Sequence, residues 1–305
     1  MREYLRDFFE WFDYPQEARG ALLDAYDAIA AHEGARFSEL LSRYEADINS
    51  DMNRMIEEAG QISESAGVHE YTGELLLFIC MSRTLLEYYR REGIAEEIFY
   101  TSMCDLKYKL IECRLVYGIW GSFVSSWFPG FFRLTRFGFG KLQFEIVLFG
   151  RHYEKNGVRL LPESRAINIH IPRTGGRLDG ESLKKSYDQA AAFFKRRYRL
   201  EKAVFVCSSW LLYPRNLEVL GEGSNLRRFI LGFDLVDHGE YKDYDAVWRL
   251  FDRKYTGDVD ELPQDSSFRR AYADWIRRGI KTGWGRGVYI YDSDSPDGIN
   301  AQIFI

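Results

Sequence analysis

Residues able to do chemistry concentrate in 166–198, AINIHIPRTGGRLDGESLKKSYDQAAAFFKRRY. Ile167, Ile169 and Ile171 alternate with Asn168 and His170, the period of two of a pleated strand. The alternation puts Asn168 and His170 on one face. An imidazole titrates near neutral pH, so His170 is a candidate general base that Asn168 can orient. The competing reading of His170 is a hydrogen-bonded histidine buried in a sheet. Pro172 cannot donate to a ladder and ends the strand. Arg173, Thr174, Gly175, Gly176 and Arg177 follow. Glycines let backbone N–H groups surround an anion, and a helix N-terminus adds partial positive charge. Strand, glycine loop and helix therefore suit a phosphorylated ligand, although an ordinary turn has the same composition.

Three further candidates lie outside this stretch. Glu145, on an alternating strand over 142–149, is a second candidate base or a solvated strand residue. Cys207 with His170 would suit a thiol enzyme, but a reactive thiol needs an electropositive, partly open setting and Cys207 sits in apolar FVCSSW. The ending RRGIKTGWGRG, 277–287, is basic and glycine-rich and reads as a solvated loop or a phosphate contact.

The elements that must position these residues fall into two groups. The first third reads as helices. Leu5, Phe8, Phe9 and Phe12 form one stripe, Ala18, Leu22, Ala25, Tyr26 and Ile29 a second, and Phe37, Leu40, Leu41, Tyr44 and Ile48 a third after a break at Gly34. Residues 60–73 read as a polar loop, and 74–91 and 94–116 as apolar helices. Composition changes near Gly118, so the expected domains are 1–118, all-helical, and 119–305, an α/β layer. The aromatic stretch between them, with Trp120, Phe123, Trp127, Phe128, Phe131 and Phe132, reads as a packed junction or an aromatic pocket. Strands are expected at 142–149, 158–161, 166–171, 203–212, 246–251 and 288–291. The helix over 180–198 carries Leu183, Tyr187, Ala190, Phe194 and Tyr198 on one face. Turn-rich gaps between strands favour a mixed sheet over a purely parallel one.

A net charge of -5 and a pI near 5.7 give no concentrated basic surface for nucleic acid. The longest apolar run, Leu75 to Met81, is too short to span a membrane, and no signal peptide is read at the N-terminus. Cys80, Cys104, Cys113 and Cys207 show no paired spacing, which predicts reduced thiols in a cytoplasmic protein and no metal site.

INIHIP before the Gly-Gly loop, then FVCSSWLLYP and SNLRRFILGF, resemble a family of bacterial two-domain acyltransferase proteins. In that family a helical N-acyltransferase N-terminal domain precedes a GNAT-like C-terminal domain. The resemblance implies an α/β (α+β) chain and acyl-CoA-dependent transfer to an amine, with acetyl-CoA or a longer acyl-CoA as co-substrate. It implies two adjacent parallel strands, 166–171 and 203–211, that splay around the cofactor's pantetheine. The acceptor would be a small-molecule or peptide amine, and no oligomeric state follows.

By the same resemblance, Ile169, Ile171, Arg173, Thr174, Gly175, Gly176 and Arg177 would bind the cofactor. Arg173 and Gly176 match the family's diphosphate loop. Leu178 stands where that loop has a small residue, and Asp179 beside it adds negative charge or caps the helix. Ser208 and Ser209 point to opposite faces, so one can meet the pantetheine or the acceptor. Tyr213 is a candidate acid for the leaving thiolate. The following helix offers Asn225, a cofactor or capping residue, and no tyrosine. Leu178 is the departure that supports the alternative, a non-catalytic binding or scaffolding protein on a degenerate GNAT-like fold.

Overall fold

The computed structural model describes residues 1–155, 157–173 and 178–291. The chain divides into two compact units, 1–138 and 139–305.

The first unit is helical. Helices α1 (Arg2–Trp11), α2 (Gln16–Ala46), α3 (Met52–Ser65), α4 (Glu70–Arg91) and α5 (Glu96–Tyr117) precede a short 3-10 turn and α6 (Pro129–Phe132). The apolar run Leu75 to Met81 lies on α4 and is buried on every side, which makes α4 the central helix of the unit. Asp51 caps α3 by accepting from the Arg54 N–H, and Gly118 ends α5 in the left-handed region at φ 73°. The break expected at Gly34 is a kink: α2 runs through it with one non-helical residue, Glu33. Part of the expected loop over 60–73 is helix, because α3 continues to Ser65.

The aromatic stretch after Gly118 belongs to this unit's core. Phe78 meets Phe128 and Phe132 at 5.0 and 4.9 Å between ring centroids, and Tyr44 donates to the Phe132 carbonyl at 2.9 Å. The division therefore falls after Gly138, later than the composition change at Gly118.

The second unit is built on a mixed sheet. Among the described residues the strand order is β1-β2-β5-β6-β8-β7, and β3-β4 form a separate hairpin. The strands are β1 (Arg136–Phe139), β2 (Leu142–Leu148), β3 (Tyr153–Lys155), β4 (Val158–Leu160), β5 (Arg165–His170), β6 (Val204–Ser209), β7 (Asp234–Glu240) and β8 (Gly283–Ile290). The flanking helices are α7 (Gly180–Tyr198), α8 (Asn216–Val219), α9 (Asn225–Leu231), α10 (Trp248–Phe251) and α11 (Ser267–Arg277).

Strand β5 pairs antiparallel with β2 and parallel with β6. One face of the sheet packs on α7 through Phe144, Tyr187, Phe205 and Tyr289, with centroid distances of 5.1 to 6.4 Å. The β3-β4 hairpin closes part of the opposite face over Ala166, Val204, Val206 and Val288.

Further expectations differ from the structure: the strand expected over 203–212 ends at Ser209, and Trp210–Leu212 form a 3-10 turn. Residues 245–251 form a 3-10 turn and α10 where 246–251 suggested a strand. The glycine-rich ending is no loop over Gly283–Gly287: those residues are inside β8, where Gly283, Gly285 and Gly287 leave one face bare.

Candidate active site

Register, more than sequence spacing, assembles the site. Antiparallel pairing sets Glu145 of β2 opposite Asn168 of β5, and Gln143 opposite His170. Opposed residues share a face, so all four side chains lie on the face away from α7. His170 Nε2 and Glu145 Oε1 are 2.6 Å apart. Asn168 Nδ2 lies 3.1 Å from His170 Nε2 and 3.3 Å from Glu145 Oε1. The two partners are 17% and 18% exposed, so Glu145 is a half-buried partner of the histidine and no solvated strand residue. The Glu145 carboxylate accepts a hydrogen bond from Nε2–H, which leaves the ring's lone pair on Nδ1 and the Asn168 Nδ2–H to donate to Glu145 Oε1.

The site lies where two parallel strands part. β5 and β6 pair at Ile167↔Phe205 and Asn168↔Val206, and each strand then runs on, to His170 and to Ser209. Ile169 is buried on the α7 face, and Ile171 is half-buried beyond the strand. Their backbone lies past the last β6 partner, the position from which an N–H can meet a ligand entering between the strands.

Cys207 lies apart from this cluster. It follows Val206 and so faces α7, on the other side of the sheet from His170. Burial pushes its thiol up to about 12, far from a ready thiolate. Ser208 shares the His170 face and is exposed, opposite Arg286 of β8. Ser209 accepts from the Leu211 N–H at 3.2 Å and caps the turn that follows β6.

The remaining candidates have partners elsewhere. Tyr213 is buried and donates to Glu240 Oε1 at 3.3 Å. Burial first, and Glu240 second, push its hydroxyl up, which makes it a more reluctant proton donor. Asn225 Oδ1 accepts from Arg228 at 2.5 Å, and Ser224 is the residue that caps α9. Asp179 caps α7 by accepting from the Ser182 N–H at 2.8 Å, and that bond holds its carboxyl below the usual range. Arg173 forms an ion pair with Asp252. Thr174, Gly175, Gly176 and Arg177 lie outside the described residues.

Gln143 is the residue that sequence reading passed over. It is buried beside the histidine's register position, and its Oε1 has no hydrogen-bond partner. A glutamine among Leu142, Phe144 and Ile146 was the available signal. Among the described residues no group of three or more His, Cys, Asp or Glu is placed to hold a metal ion.

Residues 3–134 match the N-acyltransferase N-terminal domain family, and residues 136–289 match the GNAT-like C-terminal domain family. The chain belongs to the family that joins these two domains. Among solved structures it is similar to an acyltransferase mutant in complex with octanoyl-CoA, at 23% identity and a TM-score of 0.73, over 94% of this chain and 88% of that one. It is also similar to an acyltransferase in complex with decanoyl-CoA and teicoplanin, at 23% identity and a TM-score of 0.72, over 93% and 87%. At such identity the likeness is one of fold. No match is found among curated proteins.

Proposed function

We propose that this chain transfers an acyl group from acyl-CoA to an amine of a small-molecule acceptor. The observation that carries the proposal is the His170–Glu145 pair at 2.6 Å, on a strand whose parallel partner leaves it after Asn168. The acyl-CoA thioester would lie between β5 and β6. The acceptor amine attacks the thioester carbon, forming C–N as C–S breaks. His170 Nδ1 takes the amine proton while Glu145 orients the ring. A backbone N–H near Ile169 or Ile171 would stabilise the oxyanion. The departing CoA thiolate takes up the proton. Arg173 at the start of the loop would meet the cofactor's diphosphate.

The similar structures supply the reagent classes: they hold octanoyl-CoA, decanoyl-CoA and teicoplanin, so a medium-chain thioester and a small-molecule acceptor are the first to try. Half-buried Leu178, in place of a small residue, favours the scaffolding alternative. One experiment separates the two. Purified protein is titrated calorimetrically with decanoyl-CoA, then mixed with it and a panel of primary amines while thiol release is followed. Saturable binding with amine-dependent release is expected. Absence of binding by folded protein, or binding without release for any amine, removes the transferase reading and supports the scaffolding alternative.

A further inference from the structure

Counting on from the last pair of β5 and β6, Asn168↔Val206, brings His170 level with Ser208. Register extends that line across the sheet: Gln143 of β2 stands opposite His170, and Arg286 of β8 opposite Ser208. Opposed residues share a face, so Gln143, His170, Ser208 and Arg286 form one polar row, with the gap between β5 and β6 in its middle. Two residues back on the same face of β6 and β8 stand Val206 and Val288, packed under the β3-β4 hairpin. The face thus changes from apolar core to an alcohol and a guanidinium at the level of the candidate base.

Arg286 is half-buried, and among the described residues it makes no hydrogen bond and no ion pair. The carboxylate opposite it on its other side, Asp237 of β7, is engaged elsewhere: Arg151 donates to its Oδ2, and the His238 N–H to its Oδ1 at 2.9 Å. Asp234, further along β7, holds Lys155 at 2.9 Å. A guanidinium drawn partly out of water with no close counterion carries a cost that a bound anion would remove. Its planar fork binds a carboxylate or a phosphate through two parallel hydrogen bonds.

We infer that Arg286 binds the acceptor and selects for an anionic group: the acceptor is a primary amine that also carries a carboxylate or a phosphate, and this anion pairs with Arg286 while the amine lies at His170. The inference rests on the transferase reading above. β5 and β8 are two strand spacings apart, roughly 10 Å, a span that a six-carbon chain and the arginine's own length cover together.

The test follows thiol release by the full chain from decanoyl-CoA with three six-carbon amines: hexylamine, aminohexanoate and aminohexyl phosphate. The unmodified chain is expected to favour an anionic amine over hexylamine by about tenfold in kcat/KM, mostly through KM, because the charged hydrogen bonds are made in ground state and transition state alike. The faster of the two anionic amines identifies carboxylate or phosphate. Arg286→Met should bring the ratio close to one. Arg286→Glu should invert the charge preference, favouring diaminohexane over aminohexanoate, and serves if the methionine variant folds poorly. Release with equal kcat/KM for all three amines overturns the inference and leaves the transferase reading standing, as does a preference for anions that survives either substitution. No release by the unmodified chain with any amine overturns the transferase reading, and this inference with it.

Discussion

At the scale of single residues, the hydrogen bond between Glu145 and His170 decides which ring nitrogen is basic. A carboxylate can only accept, so Nε2 keeps its proton and Nδ1 carries the lone pair. A glutamine at 145 would keep the shape but could donate to Nε2, moving the proton to Nδ1 and silencing the base. Glu145→Gln is therefore expected to lower kcat for amine-dependent thiol release by roughly 100-fold, close to the effect of His170→Ala. Acyl-CoA affinity should stay within about twofold, since neither change touches a cofactor-binding group. Full turnover in either variant, followed by thiol detection, would remove the pair from the mechanism. The sequence showed each member of this pair separately, through the period-two alternation of 142–149 and 166–171. It did not show that Glu145 stands opposite Asn168, because a hairpin, β3-β4, intervenes and register depends on where that hairpin begins and ends.

At the scale of elements, β8 explains a glycine pattern that spacing alone misassigned. Gly283, Gly285 and Gly287 alternate with Trp284 and Arg286, so over 283–287 one face of the strand carries no side chains. The turn after β6 lies against that face: a Cβ on Gly285 would stand 2.1 Å from the Leu212 carbonyl oxygen, and one on Gly283 2.6 Å from the Tyr213 ring. Gly285→Ala is expected to destabilise the protein by roughly 2–3 kcal/mol, because a backbone atom must move. That corresponds to a fall in Tm of about 5–10 °C, readable by scanning calorimetry. An unchanged Tm would mean that the turn is not seated there. The glycines stand at a period of two, but among basic neighbours they read as a solvated loop or a phosphate contact. β7 was illegible for another reason. Asp234, Asp237, His238 and Glu240 dilute its apolar alternation, and as an outer strand with β8 as its neighbour in the sheet it tolerates them. The apolar stretch 246–251 reads as a strand yet forms a helical turn, because Val247 and Phe251, four residues apart, both enter the core of the chain between β7 and β8.

At the scale of the whole molecule, stability should depend on pH through the helical unit. Burial pushes the Glu74 carboxyl up to about 7, against a hydrogen bond from Ser125 and with Glu70 adding to the rise. In the unfolded chain the same group ionises near 4.5. Between those values the folded state retains a proton that the unfolded state has lost, so stability falls as pH rises from about 4.5 to about 7 and levels off above. Allowing for the water that still reaches the group, the loss is roughly 1–2 kcal/mol. Glu74→Gln should flatten this slope and raise Tm at pH 8, as thermal denaturation across pH would show. An equal slope in the variant would place its origin elsewhere.

The cysteines carry a practical consequence. Cys80, Cys113 and Cys207 are buried with thiols raised to about 12, and burial also raises the half-buried Cys104. A thiolate is the species that an alkylating reagent captures, so the folded chain presents almost nothing to capture. Three of these thiols report on the helical unit and Cys207 on the sheet. The native protein thus carries an internal clock for opening: the order in which cysteines become labelled over hours reads out which half of the chain loosens first, with no probe added.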